Sequence, residues 1–184
     1  TLDLMAKLAT AGGFKKTRFA NQHALTRFVK RHQKQVEREK GHDPKLRHLL
    51  EIVQTTQEKV VVFCWYKQTA RDITHALQAE GVQAETTEGK HGEQIDSLLR
   101  RFAPIANEVL EPEAIGNGIR VLVVTSSLAE GYNLQDASVL VNYDLPWTVL
   151  MLAQRMGRVL RPWSQPREIT IYNFVPQAML NPKL

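Results

Sequence analysis

The stretch IRVLVVT, residues 119–125, is a run of apolar, mainly β-branched residues broken by one arginine. Such a run is typical of a strand buried on both faces of a parallel sheet. KVVVFCW at 59–65 precedes it and SVLVNYD at 138–144 follows it, with helical patterns between them at 69–80 and 94–102. This alternation predicts an α/β fold with a mostly parallel central sheet covered by helices on both faces. Ligands of such sheets bind beyond the carboxyl ends of the strands.

The rest of the chain adds elements on both sides of this unit. Two helices precede it, and we expect a basic helical extension or linker at 1–57 and the α/β lobe at 58–184. Asp43 followed by Pro44 predicts the start of the second helix, because the two residues suit an N-cap and the first helical position. The other predicted helices are 21–40, 44–56 and one that begins at Thr148. The other predicted strands are 82–87 and 168–175, and residues 103–118 are predicted to form an insertion or long loop.

Positive charge is concentrated at the N-terminus. Residues 1–48 contain 12 Lys/Arg and 4 Asp/Glu, a net charge of +8, whereas residues 49–184 contain 12 and 15, a net charge of −3. Within this segment, residues 21–40 have the pattern of a basic amphipathic helix. A basic segment of this kind is either a contact surface for a polyanion or a solvated helix face. Salt-dependent binding distinguishes the two readings.

Composition and cysteine content exclude several classes of protein. Cys64 is the only cysteine, so the chain has neither an internal disulfide nor a multi-cysteine metal site, and we interpret this residue as a small core side chain. No secretory signal or window of 18 apolar residues is present, which predicts no membrane partner. The chain starts at Thr1 rather than at a methionine, and we expect it to be part of a longer protein. We predict no metal site within the chain.

The stretch QRMGRVLRPW, residues 154–163, carries three arginines and a glutamine but no carboxylate. A helical wheel over this region predicts an apolar arc on one side and a polar arc on the other (Val149, Leu152, Ala153, Met156 and Leu160 against Gln154, Arg155, Arg158 and Arg161). One arginine in a last helical turn is explained by the helix dipole. Three arginines favour a phosphate partner, because guanidinium groups bind phosphate oxygens as permanently charged forks.

At this point the sequence resembles a known family. QRMGRVLR looks like motif VI of superfamily 2 helicases and translocases, with the pattern Q/H-R-x-G-R-x-x-R. The resemblance implies that Arg158 and Arg161 act as arginine fingers on the ATP γ-phosphate. It also implies a supporting contact from Gln154 and an ATP contact from Arg155, the least defined of the four. Such fingers contribute about 10³ to 10⁵ in rate to phosphoryl transfer.

The other motifs of the family occur in the expected order. Residues 121–147 resemble motif V and the following strand, which implies nucleic-acid contacts by Thr125 and Ser126 and nucleotide contacts by Gly131 and Asn133. KVVVFCWY is similar to motif IV, and EGKHG lies where the family has a glycine turn near the nucleic acid. We therefore expect Lys67 and His91 to contact nucleic acid as well. The resemblance implies a three-layer RecA-like lobe.

Within the superfamily, HDPKLRHLLEIV and DLPWTVLMLAQRMGRVLRPWSQ look most like SWI/SNF-type translocases, including bacterial ones. The usual I-G-Q after motif VI is replaced by Pro162-Trp163-Ser164-Gln165. The sequence contains neither G-x-x-x-x-G-K-[ST] nor D-E-x-[DH] after a hydrophobic strand. The resemblance thus implies that the phosphate-binding loop and the Mg²⁺ ligands for ATP lie on an N-terminal RecA-like lobe of the same polypeptide. This chain alone should not hydrolyse ATP.

The resemblance implies the second motor lobe of an ATP-dependent translocase or helicase acting on duplex DNA, with RNA as an open alternative. We expect a cytoplasmic or nucleoid-associated protein, or a nuclear one in a eukaryote. A competing interpretation is a non-catalytic module that binds nucleic acid or a partner within a degenerate helicase-like protein. A dinucleotide-binding domain requires G-x-G-x-x-G after the first strand, where this sequence has CWYKQTA.

Overall fold

The computed structural model describes residues 13–14, 17–18, 22–39, 43–109, 118–125, 132–160 and 166–175. It divides the chain into two compact units, Thr1–Arg47 and His48–Leu184. The predicted boundary after residue 57 lies later in the chain than this division. In the described part, no helix is long and apolar enough to cross a bilayer.

The first unit contains a short hairpin and helical structure. Strands β1 (Gly13–Phe14) and β2 (Thr17–Arg18) pair antiparallel, and helix α1 spans Gln22–Glu39. Helix α2 (Pro44–Thr55) begins in this unit and ends in the next. The carboxylate of Asp43 accepts hydrogen bonds from the amides of Lys45 at 2.9 Å and Leu46 at 3.4 Å. This confirms the predicted N-cap, since the side chain satisfies amides that have no partner within the helix.

The second unit is built on a five-stranded parallel sheet with the strand order β4-β5-β3-β6-β7. The central β5 and β3 are buried along their whole length, which confirms the prediction for both runs. The helices and strands of this unit occur in the predicted order, with shifts at their ends. The strands are β3 (Val60–Cys64), β4 (Ala84–Thr86), β5 (Val121–Thr125), β6 (Val139–Asn142) and β7 (Thr170–Asn173). The helices are α3 (Lys67–Ala79), α4 (Glu93–Phe102) and α5 (Val149–Met156).

Apolar side chains on one face of the sheet form the main core cluster. Leu98 and Phe102 of α4 pack there with Val61 and Leu122 from neighbouring strands. Helix α3 lies outside this cluster, contacts β3, β4 and β5, and buries its own apolar side (Ala70, Ile73 and Leu77). Burial of both faces of the central strands is what a three-layer α/β lobe requires. The RecA-like fold class is confirmed.

The residue before β5 makes contacts with the end of α2. Arg120, the only charged residue in IRVLVVT, donates through Nη2 to the carbonyl oxygens of Val53 and Thr56 at the end of α2. It therefore ties this helix to the start of β5.

In the predicted insertion, Ala103 and Pro104 are buried and residues 104–108 form a turn, whereas residues 110–117 lie outside the described part.

Candidate functional site at the carboxyl edge of the sheet

The parallel register brings the carboxyl ends of the strands to one edge. Cys64 pairs with Thr125, Thr86 with Val123, and Asn142 with both Phe63 and Asn173. Thr125, which is 3% exposed, ends β5 at this edge, as predicted. Ser126 and Gly131 lie outside the described residues. Helices α3 and α5 follow β3 and β6, so the residues that begin each helix also lie near the edge.

Helix α5 is shorter than the predicted motif helix. The Thr148 hydroxyl accepts a hydrogen bond from the Met151 amide at 3.2 Å, and the helix ends at Met156. Gly157 follows as its C-cap, and residues 157–159 form a turn. Arg158 therefore lies in this turn and not on the helix. Arg161 lies outside the described residues. Gln154 is on the helix and exposed.

The helical wheel was wrong about which side of α5 is buried. Val149 is 82% exposed and Leu160 46% exposed, whereas Arg155 is 2% exposed. The physical reason is that the interior beside α5 offers Arg155 acceptors and aromatic faces, which compensate the burial of a cation. The wheel also extends beyond Met156, where the helical repeat no longer applies.

The Arg155 guanidinium is held from several directions. Nη1 donates to Asn142 Oδ1 at 2.9 Å and to the Asp144 carbonyl oxygen at 2.8 Å. Cζ lies 5.0 Å from the Phe63 ring centroid and 5.3 Å from that of Trp65. Nη2 is buried and has no hydrogen-bond partner in the part of the chain that the structure describes. Arg155 therefore anchors α5 to the ends of β3 and β6.

This anchor extends across the sheet edge. Asn142 Nδ2 donates to Asn173 Oδ1 at 2.9 Å, and the Trp65 amide donates to Asp144 Oδ2 at 2.9 Å. Burial lowers the pKa of the Arg155 guanidinium, and the negative charge of the nearby Asp144 carboxylate opposes this shift. A direct ATP contact by Arg155 stays a prediction, and it requires the side chain to leave this buried position.

Arg158 differs from Arg155 in its surroundings. Arg158 is half-buried, and its Nε atom is buried without a hydrogen-bond partner among the described residues. The Arg158 carbonyl oxygen accepts a hydrogen bond from the Leu134 amide at 3.2 Å. Leu134 follows Asn133, whose own carbonyl accepts from Asn107 Nδ2 at 3.4 Å. The fold thus brings together two predicted site residues, Asn133 and Arg158, that are 25 positions apart in the sequence.

The predicted nucleic-acid residues Lys67 and His91 are both exposed. Lys67 is the first residue of α3, and its Nζ lies 3.6 Å from Glu88 Oε1. The same carboxylate oxygen pairs with Arg71 Nη2 at 3.0 Å, and the Glu88 side chain is only 6% exposed. Sequence reasoning missed Arg71. Its position four residues after Lys67 on a helix placed the two cations on one face, but nothing in the sequence indicated the shared carboxylate.

The polar side chains at the edge are mainly cations and amides, and its carboxylates Glu88 and Asp144 already have partners there. Among the residues that the structure describes, no group of three or more His, Cys, Asp or Glu side chains could hold a metal ion. Cys64 carries a fully buried thiol outside any disulfide, in agreement with a core role. The arrangement suits a multiply charged anion, and a metal-bound nucleotide would need carboxylates from elsewhere.

Comparison with known proteins identifies the family of this chain. Residues 44–162 match the family described as helicase conserved C-terminal domain. An uncharacterized ATP-dependent helicase, YqhH of Bacillus subtilis, is 31% identical over 127 residues, which cover 68% of this chain and 20% of that protein. The RNA polymerase-associated protein RapA of Photobacterium profundum is 35% identical over 132 residues, covering 71% of this chain and 13% of RapA. The matches therefore span about a fifth or less of these two relatives.

A solved structure shows the same fold. The RNA-helicase Prp28 from Chaetomium thermophilum, bound to ADP, superposes with a TM-score of 0.56 at 25% identity, over 72% of this chain and 30% of that one. The family match covers more than half of the chain and includes the turn that carries Arg158. The chain belongs to the helicase conserved C-terminal domain family and has the RecA-like fold of superfamily 2 helicase C-terminal lobes.

Proposed function

We propose that this chain is the second motor lobe of an ATP-dependent translocase that acts on duplex DNA. The observation that carries the proposal is the hydrogen bond between the Leu134 amide and the Arg158 carbonyl oxygen. This bond brings the Arg158 backbone beside Leu134 and so next to Asn133, which the family resemblance implies faces the nucleotide. Arg158 then supplies positive charge to a nucleotide held by another lobe.

The proposed cycle assigns separate tasks to the two lobes. ATP and Mg²⁺ bind on an N-terminal RecA-like lobe, which provides the phosphate-binding loop and the carboxylate ligands of the metal. Closure of the cleft brings Arg158 and Arg161 to the γ-phosphate, with Gln154 in support and Gly131 and Asn133 against the nucleotide. The two guanidinium groups stabilise the charge that develops on the transferred phosphoryl group. Hydrolysis releases them, and the lobes separate.

Nucleic acid binds at the carboxyl edge of the sheet in this proposal. Backbone phosphates are contacted there by Thr125, which ends β5, by Ser126, which follows it in the sequence, and by Lys67 and His91. Lys67 is 71% exposed, so a phosphate can compete with Glu88 for its ammonium group. Duplex DNA is favoured by the SWI/SNF-like sequence, whereas Prp28 is an RNA helicase.

Nucleic-acid-stimulated ATP turnover of the full-length protein tests this function. We expect duplex DNA to raise kcat more than single-stranded DNA or RNA, because the motor would track a duplex backbone. Stimulation of ATP turnover by RNA but not by DNA would mean that the motor acts on RNA and not on duplex DNA. Salt-sensitive DNA binding without stimulated hydrolysis would contradict the motor function and support the non-catalytic module.

A separate prediction concerns the basic helix α1. Lys30 and Arg31 are both exposed on it, and we propose that they contact phosphates or support lobe docking. Replacing both by glutamine should lower DNA affinity and reduce the slope of log K against log salt by about two, since each phosphate contact contributes about 0.9. Fluorescence anisotropy over a salt series measures this. The control is Arg100→Gln on α4, also exposed, and an equal slope in all three proteins would refute the contact.

A further inference from the structure

Arg167 lies just before β7, outside every motif described above, yet it bridges two of them. Its Nη1 donates to the carbonyl oxygen of Gln135 and, at 3.4 Å, to that of Ala137. Its Nη2 donates to the Val159 carbonyl oxygen at 2.6 Å. One guanidinium therefore connects the segment after Asn133 with the turn after Arg158. Burial lowers the pKa of Arg167, and the Asp136 carboxylate raises it.

The two segments form a compact bracket, which we define as residues 133–137 and 157–159. Besides Arg167, the bond from the Leu134 amide to the Arg158 carbonyl links its two halves. The Asp136 carboxylate fastens the first half to the turn at 104–108, accepting from the amides of Ile105 at 2.9 Å and Ala106 at 2.8 Å. Val159 anchors the second half, since it is fully buried in the core cluster.

Arg167 approaches the bracket from the amino ends of the strands. It lines an open cavity of about 740 Å³ together with Lys59, Ser138 and Thr170, which lie at the starts of β3, β6 and β7. This position is opposite to the carboxyl edge that carries Thr125. The side chain is therefore suited to act through the bracket rather than on a ligand at that edge. Because the cavity is open, a methionine at this position meets no close-packed wall.

We propose that Arg167 is a positioning residue that holds Asn133 and Arg158 in fixed relation, so that both reach the nucleotide together when the lobes close. This inference rests on the proposed function. A single guanidinium suits the task because its fork serves several carbonyl oxygens at once. A lysine keeps the charge but cannot reproduce the planar fork.

The first test is a double-mutant cycle on ATP turnover of the full-length protein. Arg167→Met should lower kcat about tenfold and leave KM for ATP within about twofold, because misplacing a group that acts in the transition state mainly affects kcat. Arg167→Lys should fall between wild type and Arg167→Met. In the Arg158→Ala background, Arg167→Met should cause no further loss of kcat. If Arg167 only stabilised the fold, Arg167→Met would lower kcat by the same factor in both backgrounds. Additive losses, or a change confined to KM, would overturn the proposal.

The second test is hydrogen–deuterium exchange of the same variants. In Arg167→Met, the amides of Leu134 and Val159 should exchange about tenfold faster, while those of the central strands β3 and β5 stay unchanged, because opening would be local. Unchanged exchange at Leu134 and Val159, or faster exchange throughout the sheet, would overturn the bracket. If Arg158→Ala retains full turnover, the proposed function fails, and the exchange data still decide whether Arg167 holds the two segments together.

Discussion

Replacing Arg158 by alanine in the full-length protein should lower kcat for ATP hydrolysis by two or more orders of magnitude. An arginine finger stabilises charge that appears only in the transition state, and its loss costs about 10³- to 10⁵-fold in phosphoryl-transfer enzymes. In this structure the Arg158 Nε atom has no hydrogen-bond partner among the described residues.

Steady-state turnover at saturating ATP and nucleic acid measures this effect. Arg100→Ala is the matched control, because Arg100 is an exposed arginine on α4 outside the proposed site. Its turnover should equal that of wild type. A kcat for Arg158→Ala within threefold of the control would remove Arg158 from the catalytic mechanism.

Replacing Arg155 by alanine should act mainly on stability. The substitution removes a side chain that is 2% exposed and leaves Asn142 Oδ1 and the Asp144 carbonyl oxygen without their donor. Leaving a buried acceptor without its hydrogen-bond donor costs about 1 to 3 kcal/mol. The loss of contacts with the Phe63 and Trp65 rings adds to this. Urea-induced unfolding of the chain, followed by tryptophan fluorescence, measures the change because Trp65 lies in the network.

Gln154→Ala is the control for Arg155, since Gln154 is the preceding residue on the same helix and is exposed. Its stability should stay within about 0.5 kcal/mol of wild type, as for most surface substitutions. The opposite pattern would be informative. If Arg155→Ala is as stable as the control but raises KM for ATP, then Arg155 contacts the nucleotide directly, as the family resemblance implies.

The sheet was predictable because burial on both faces leaves a direct trace in the sequence. VVVFC and VLVVT have no polar side to place in water, so each had to be a central strand. The Asp43 cap was predictable for a similar local reason. The hairpin of Gly13–Phe14 with Thr17–Arg18 was not, because two-residue strands contain too few residues to show a period.

The site was only partly predictable, because its arrangement depends on contacts between distant segments. The motif resemblance predicted roles for Arg158 and Asn133, but their connection through Leu134 follows from the fold. Burial of Arg155 required the Phe63 and Trp65 rings at the end of another strand. Arg167 was missed for the same reason, since its acceptors are backbone carbonyl oxygens, which no side-chain pattern encodes.

The most direct test of the account is the affinity of the full-length protein for a transition-state analogue, Mg²⁺, ADP and fluoroaluminate, compared with its affinity for ADP alone. An arginine finger contributes to the former and not to the latter. We predict that Arg158→Ala weakens binding of the analogue by about 10²-fold or more, as the rate effect of such fingers implies, and leaves ADP affinity within about twofold. Equal affinity of wild type and Arg158→Ala for the analogue would contradict the claim that this lobe supplies Arg158 to the reaction.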